Sequence, residues 1–110
     1  MTAESQFEVL TYMRELLADP ERVVLDPTST YENAYGAVIT YEDAVSDPHS
    51  RVCLYGSVWV ASRPHSTVVR RQVGDLVSIT CEAHGFADEG AAFAQGQAVK
   101  IVDACLKAIT

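Results

Sequence analysis

Residues 51 to 61 read RVCLYGSVWVA, and this run decides the fold that the sequence predicts. Two sets of apolar side chains alternate along it: Val52, Leu54, Val58 and Val60 on one side, Cys53, Tyr55 and Trp59 on the other. Successive side chains of a strand point to opposite faces of the sheet, so this alternation predicts a strand that is covered on both faces. We therefore expect Tyr55 and Trp59 either in the core or in an apolar patch that a partner covers.

Three further segments predict strands that pair with this one. Residues 34–42 alternate with a period of two, and residues 68–73 form a short basic segment between the connection SRPHS and a turn at Gly74-Asp75. Leu76 to Ala83 alternates Val77, Ile79 and Cys81 with polar residues, as a half-buried strand does. The residues between the first two strands, EDAVSDPHS, are predicted to form a loop.

A helix is predicted at each end of this run of strands. The first begins at the capping box Ser5-Gln6-Phe7-Glu8 and ends at Asp19-Pro20, because the residue before a proline disfavours helical angles. The second begins near the N-cap Asp88 and carries one apolar stripe: Ala91, Ala94, Ala98, Ile101, Val102, Cys105 and Ile109. The sequence thus predicts a single α+β domain over residues 1–110. In it, an antiparallel sheet of three to four strands has an N-terminal and a C-terminal helix packed on one face.

The charge of the chain is unevenly distributed. The net charge is −7, yet residues 51–74 contain four arginines and no acid, which gives +4. The other residues contain four bases and fifteen acids, which gives −11. An acidic chain of this kind is unlike proteins that bind nucleic acid through phosphate contacts, but its basic segment suits an acidic protein surface.

The cysteine content of the chain is compatible with a reducing cytosol. Its three cysteines are widely spaced and form no C-x-x-C pair, which argues against disulfides and zinc ribbons. No segment has the length and apolar character of a membrane span, and the N-terminus lacks the features of a secretory signal. We expect no membrane association.

The sequence Cys81-Glu82-Ala83-His84 brings three chemically capable residues close together. Residues three apart in a strand face opposite ways, so Cys81 and His84 could converge on one ion only if the chain turned between them. Cys81 is in phase with Val77 and Ile79 and is predicted to lie in the core, as is Cys105 on the helical stripe. We predict no catalytic, metal-binding or cofactor-binding residue and no enzymatic activity, while the role of His84 is left open.

The basic segment supplies the predicted interface. Adjacent residues of a strand face opposite ways, so one of Arg70 and Arg71 must turn from solvent or contact a partner; a charged edge strand is the alternative. The predicted interface with a subunit or partner consists of Tyr55, Trp59, Arg63, His65, Arg70 and Arg71.

The order of elements resembles that of the tail terminator, or tail completion, proteins of long-tailed bacteriophages. The resemblance is strongest in MRELLADP (residues 13–20) and in DLVSITCEAHGFADEGAAFAQGQAVKIVDACLKAI (residues 75–109). It implies a structural, non-enzymatic homo-oligomer without cofactors, a hexameric ring that joins the tail tube to the head connector. DNA would pass through this ring without specific binding. Such a protein would reside in the virion neck and, during assembly, in the host cytoplasm.

A second hypothesis concerns a function of another class. It describes a small cytosolic α+β ligand-binding protein or enzyme with a pocket near Cys81, His84 and His65. Here a histidine approaches a cysteine from another part of the fold, as a catalytic pair need not be close in sequence.

Overall fold

In the computed structural model, which describes residues 2–110, the run 51–61 is a two-residue strand followed by a helix. Over this range the chain forms six helices and one two-stranded antiparallel sheet. The elements are α1 (Thr2–Ala18), β1 (Tyr31–Glu32), α2 (Tyr41–Ser46), β2 (Arg51–Val52), α3 (Leu54–Ala61), α4 (Thr67–Ala83), α5 (Glu89–Ala94) and α6 (Ala98–Ile109).

The predicted α+β fold with a sheet of three to four strands is therefore wrong. Residues 68–73 and 76–83, predicted as two strands joined by a turn at Gly74-Asp75, belong to the single helix α4. The predicted strand 34–42 is mostly loop, and its last two residues are the first two of α2. The rest of α2 lies in EDAVSDPHS, which was predicted to be a loop and is therefore partly helical. Only Arg51 and Val52 of the run 51–61 are strand. The two terminal helices accordingly pack on other helices instead of on a sheet face.

Helix α4 forms because its apolar residues follow a helical period. Val69, Val73, Val77 and Cys81 recur at four-residue steps, and all four are buried. The Ser66 hydroxyl accepts a hydrogen bond from the backbone N–H of Val69 and caps the first turn.

Gly85 ends α4 in a Schellman motif. Its φ is +86°, in the left-handed region that glycine adopts without a steric penalty. The Gly85 N–H donates to the Glu82 carbonyl and the Phe86 N–H donates to the Cys81 carbonyl. His84 and Gly85 thus form the turn between two helices, where a turn between sheet and helix was predicted.

Helix α3 lies in the centre of the molecule and is buried on nearly every side. Its N-cap is Cys53, whose sulfur accepts a hydrogen bond from the Gly56 N–H at 3.3 Å. Gly56 allows the helix to approach the start of β1, since a Cβ there would lie 2.8 Å from the Thr30 carbonyl oxygen. Leu54 and Val58 face the main core.

The main core joins α1, α3, α4, α5 and α6. Its largest fully buried side chains include Leu10 and Met13 of α1 and Ile101 of α6. Beside it, Arg14 of α1 and Asp103 of α6 form an ion pair of 2.5 Å on the surface.

The predicted end of the first helix before Asp19-Pro20 is confirmed, whereas its predicted start at the Ser5 capping box is wrong, because α1 already begins at Thr2.

The C-terminal helix is predicted correctly at its start and is interrupted later. The Asp88 carboxylate accepts a hydrogen bond from the Ala91 N–H at 2.8 Å, so the predicted N-cap is confirmed. The helix then stops at Ala94, and Gly96, with a φ of +73°, redirects the chain into α6. The predicted single helix is therefore two helices.

Two charged side chains of the sheet, Arg51 and Glu32, fix the backbone between residues 20 and 34. Arg51 donates to the carbonyl oxygens of Pro20, Val23 and Ala34, at 3.1 to 3.3 Å. Glu32 is only 1% exposed, and its carboxylate accepts hydrogen bonds from two backbone N–H groups, those of Leu25 and Asp26. These bonds hold an extended segment that has little regular secondary structure.

None of the helices within residues 2–110 combines the length and apolar character that a bilayer crossing requires.

Candidate aromatic and basic binding face

Four aromatic side chains form a continuous row on one face of the molecule. The ring centroids of Tyr31 and Tyr41 are 5.9 Å apart, those of Tyr41 and Trp59 are 5.9 Å apart, and those of Trp59 and Tyr55 are 6.4 Å apart. Tyr55 and Trp59 adjoin because residues four apart share a face of α3. Tyr31 and Tyr41 come from β1 and the start of α2, which the loop between them brings together.

These rings line an open groove with a volume of about 640 Å³. Its walls are residues 28–31, residues 38–41 and the side chains of Tyr55 and Trp59. The side chain of Val38 is 74% exposed and that of Tyr55 is 51% exposed. Apolar and aromatic surface with a few polar groups, here threonine hydroxyls, is the usual lining of a binding site.

Two arginines lie over the aromatic row. The guanidinium carbon of Arg70 is 4.0 Å from the centroid of the Trp59 ring, and that of Arg63 is 5.9 Å from the centroid of Tyr41. Both distances are within the range of cation–π attraction. A guanidinium that lies over an aromatic ring keeps N–H donors that can bind a carboxylate.

The arginines make one end of the face basic. Arg63, His65 and Arg70 line a cleft of about 190 Å³ beside Tyr41 and Trp59, and no carboxylate is among the described residues that line it. His65 is held by a contact of 3.6 Å between its Nε2 and the carboxylate of Glu8 in α1.

Arg71 lies on the other side of Arg70. It lines a second cavity of about 280 Å³ with Trp59, Gly74, Asp75 and Glu89. The other five residues predicted as an interface thus line cavities that Trp59 also lines. They do so as parts of α3, α4 and the turn between them, and the strand geometry from which they were inferred is absent.

Comparisons with protein-family models, curated proteins and solved structures found no match. The geometry of this face is therefore the basis for assigning a function. The resemblance to tail terminator proteins depended on a meander of strands between two helices, and the structure has α3 and α4 in that position.

The three residues of the alternative pocket are not brought together. His65 precedes the N-cap of α4 and His84 is its C-cap, so α4, roughly 25 Å long at 1.5 Å per residue, separates them. The His84 ring bonds back to the Thr80 carbonyl through Nδ1, at 2.9 Å. Cys81 is fully buried, which confirms its predicted place in the core.

The cysteines have the environments of structural thiols. Burial raises the pKa of Cys81 to about 11, and burial also raises the pKa of Cys105, whose sulfur lies 3.4 Å from the Thr80 hydroxyl. Desolvation raises the pKa of Cys53 as well. A raised pKa keeps a thiol protonated and weakly nucleophilic near neutral pH.

Within the described residues, no group of three or more His, Cys, Asp or Glu side chains is placed to hold a metal ion.

Sequence reasoning missed Tyr31 and Tyr41 as members of the face. Tyr41 was assigned to the predicted strand 34–42, and Tyr31 lies in DPTSTYEN (residues 26–33), a stretch of turn-forming residues outside the predicted elements. One signal was available within the chain: Tyr55, Trp59 and Arg63 are spaced by four residues, which places them on one side of a helix. No comparable spacing links them to Tyr31 or Tyr41, which join the row through tertiary packing.

Proposed function

We propose that this chain is a non-enzymatic interaction subunit that binds an acidic segment of a partner protein at the face around Trp59. The observation that carries the proposal is the aromatic groove with Arg63 and Arg70 laid over its rings. Aromatic residues and arginine are the side chains that contribute most to protein interfaces.

The charges select the kind of partner. The cleft beside Trp59 contains Arg63, His65 and Arg70 and is lined by no described carboxylate, so a carboxylate of the partner meets two cations there. The apolar part of the groove, with Val38 and Tyr55 exposed, accepts an apolar or aromatic side chain next to that carboxylate. An acidic segment with one large apolar residue satisfies both parts.

The subunit of a tail terminator ring is one form of this proposal. In that form the acidic partner is the next copy of the chain, since the residues outside 51–74 carry a charge of −11. The basic face of one copy would then contact an acidic surface of its neighbour, a head-to-tail contact that closes into a ring. Light scattering across a range of concentrations tests this form: mass that stays that of one chain at high concentration argues against self-assembly.

Intrinsic fluorescence provides a direct test of binding. Trp59 is the single tryptophan of the chain, so its emission reports on this face alone. The probe is a short peptide of glutamates with one phenylalanine at its centre, titrated into the protein at low ionic strength. We expect a saturable change in emission that weakens as salt is added, because screening acts on exposed charges. A peptide with lysines in place of the glutamates should give no saturable change.

Charge variants locate the contact. Arg63→Gln combined with Arg70→Gln should weaken binding about tenfold, if each exposed pair contributes roughly 0.7 kcal/mol. The matched control is Lys100→Gln combined with Lys107→Gln, which removes the same charge from exposed positions of α6. Equal losses in the two double variants would show a general charge effect and refute the proposed face. Binding of an oligouridine in preference to the acidic peptide would also refute it.

A further inference from the structure

Gly74 has no structural reason to be a glycine. It lies near the middle of the 17-residue helix α4, where glycine is less favourable than alanine because it loses more backbone freedom. Its φ is not positive, and a Cβ built there would meet no atom within 4 Å. Gly56 differs, because a Cβ at that position would collide with the backbone at Thr30.

The open space above Gly74 belongs to the binding face. Gly74 follows Arg70 by four residues, so the two lie one above the other on the same side of α4. Both line the cavity of about 280 Å³ that also contains Trp59. The missing side chain therefore leaves the helix backbone bare next to the stacked pair Arg70 and Trp59.

We infer that Gly74 is the point at which the main chain of the acidic partner segment crosses α4. This inference rests on the proposed function and adds the path of the segment. With no side chain at Gly74, a partner backbone can lie against the helix and place its side chains to either side. A bare glycine surface is how close backbone approach is achieved elsewhere in proteins.

The charges around Gly74 orient the crossing segment. Arg70 and Arg71 lie one turn before Gly74, whereas Asp75 and Glu89 line the same cavity beyond it. The carboxylates of the partner are attracted to the arginine side and repelled from the side of Asp75 and Glu89. The residue of the partner that passes Gly74 towards Asp75 is accordingly an uncharged one.

Substitution of Gly74 separates this inference from the proposed function. Gly74→Leu adds a helix-favouring side chain at a position where a Cβ meets no atom within 4 Å, so the variant should unfold at the same denaturant concentration as the parent or a higher one. Its affinity for the glutamate peptide, followed by Trp59 emission, should fall by about tenfold or more, because added methylenes obstruct a close contact. Gly74→Ala should give a smaller loss in the same direction. The control is Gln72→Leu, which places the same side chain at an exposed position of α4 outside that cavity, removes only a surface hydrogen bond from Gln6 and should bind like the parent.

The outcomes point to different conclusions. If Gly74→Leu binds as tightly as the parent while the arginine double variant binds weakly, the crossing at Gly74 is refuted and the face remains. If neither variant changes the affinity, the proposed function itself is refuted. If Gln72→Leu loses as much affinity as Gly74→Leu, the effect is general to α4 and the crossing is refuted. The crossing is supported if Gly74→Leu and the arginine double variant both lose affinity, Gln72→Leu does not, and Gly74→Leu is as stable as the parent.

Discussion

Two glycines inside helices offer a matched test of how α3 is held in the core. In Gly56→Ala, the new Cβ would lie 2.8 Å from the Thr30 carbonyl oxygen and 2.9 Å from Cε1 of Tyr31. The first contact is with backbone, which cannot rotate away, so α3 and β1 must separate by several tenths of an ångström. Overpacking costs about 1–3 kcal/mol, and a clash with backbone belongs to the upper part of that range, about 2–3 kcal/mol. The helical preference of alanine offsets up to about 1 kcal/mol of that cost.

The expected net effect is a loss of about 1–2 kcal/mol in the free energy of unfolding. Gly74→Ala is the control, since it makes the same chemical change in a helix where no atom lies within 4 Å of the new Cβ. That variant should gain about 0.5–1 kcal/mol. The two variants should therefore lie on opposite sides of the parent, separated by roughly 1.5–3 kcal/mol.

Urea denaturation followed by the helical circular dichroism signal measures this difference. For a slope of about 1.5 kcal/mol per molar urea, the two midpoints should differ by about 1–2 M. If Gly56→Ala is as stable as the parent, α3 does not depend on close approach to β1 and the reasoning is refuted. If both variants lose stability equally, the loss reflects something other than the contact with Thr30.

Three further changes test other parts of the structure. Arg51→Lys should lower the free energy of unfolding by about 1–3 kcal/mol, because a single ammonium cannot replace a planar guanidinium that donates to three backbone carbonyls. Thermal melts measure this loss, and a variant as stable as the parent would contradict that role of Arg51. Glu32→Ala should lower the free energy of unfolding by about 1–3 kcal/mol and speed hydrogen exchange at the backbone amides of Leu25 and Asp26, which donate to the carboxylate. Unchanged exchange would show that these amides find other hydrogen-bond partners. When the protein is alkylated at pH 8 and analysed by mass spectrometry, Cys53 should react before Cys81. Cys81 is buried, and its pKa of about 11 leaves little thiolate at that pH. The reverse order would mean that the core around Cys81 opens readily.

Some features of the fold follow from local signals in the sequence. Asp19-Pro20 marks the end of α1 and Asp88 marks the start of α5, because each acts through its own backbone or that of the next few residues. The burial of Cys105 also follows from its place on the predicted helical stripe, whereas Cys81 is buried on the helical phase of Val73 and Val77 and not on the strand phase from which its burial was predicted. These predictions depend little on how distant parts of the chain pack.

Helix α4 shows how two periods can compete in one segment. Val77, Ile79 and Cys81 alternate as in a strand, but Ile79 is 63% exposed in the structure, so the alternation does not describe its core face. The four-residue step from Val69 to Cys81 continues for longer, and a pattern of that length favours a helix. Ser66 and Gly85 flank it with the usual signals of a helix start and end.

Helix α3 could not be distinguished from a strand by pattern. Its eight residues are mostly apolar and mostly buried, so they show no polar face from which a period could be read. Valines and aromatic residues favour strands when judged by propensity, which tertiary packing readily overrides. The binding face shares this limit, since Tyr31 and Tyr41 reach Trp59 only after the helices have packed.

The packing of α1 against α6 has a consequence for synthesis of the chain on the ribosome. The two helices complete one core, yet about 80 residues separate the end of α1 from the start of α6. At roughly 5–20 residues per second, α1 emerges about 4–16 s before its partner helix. During that interval the side chains of Leu10 and Met13 lack part of their covering and can be held by chaperones that bind exposed apolar segments. The nascent chain therefore closes its core only once α6 has left the exit tunnel.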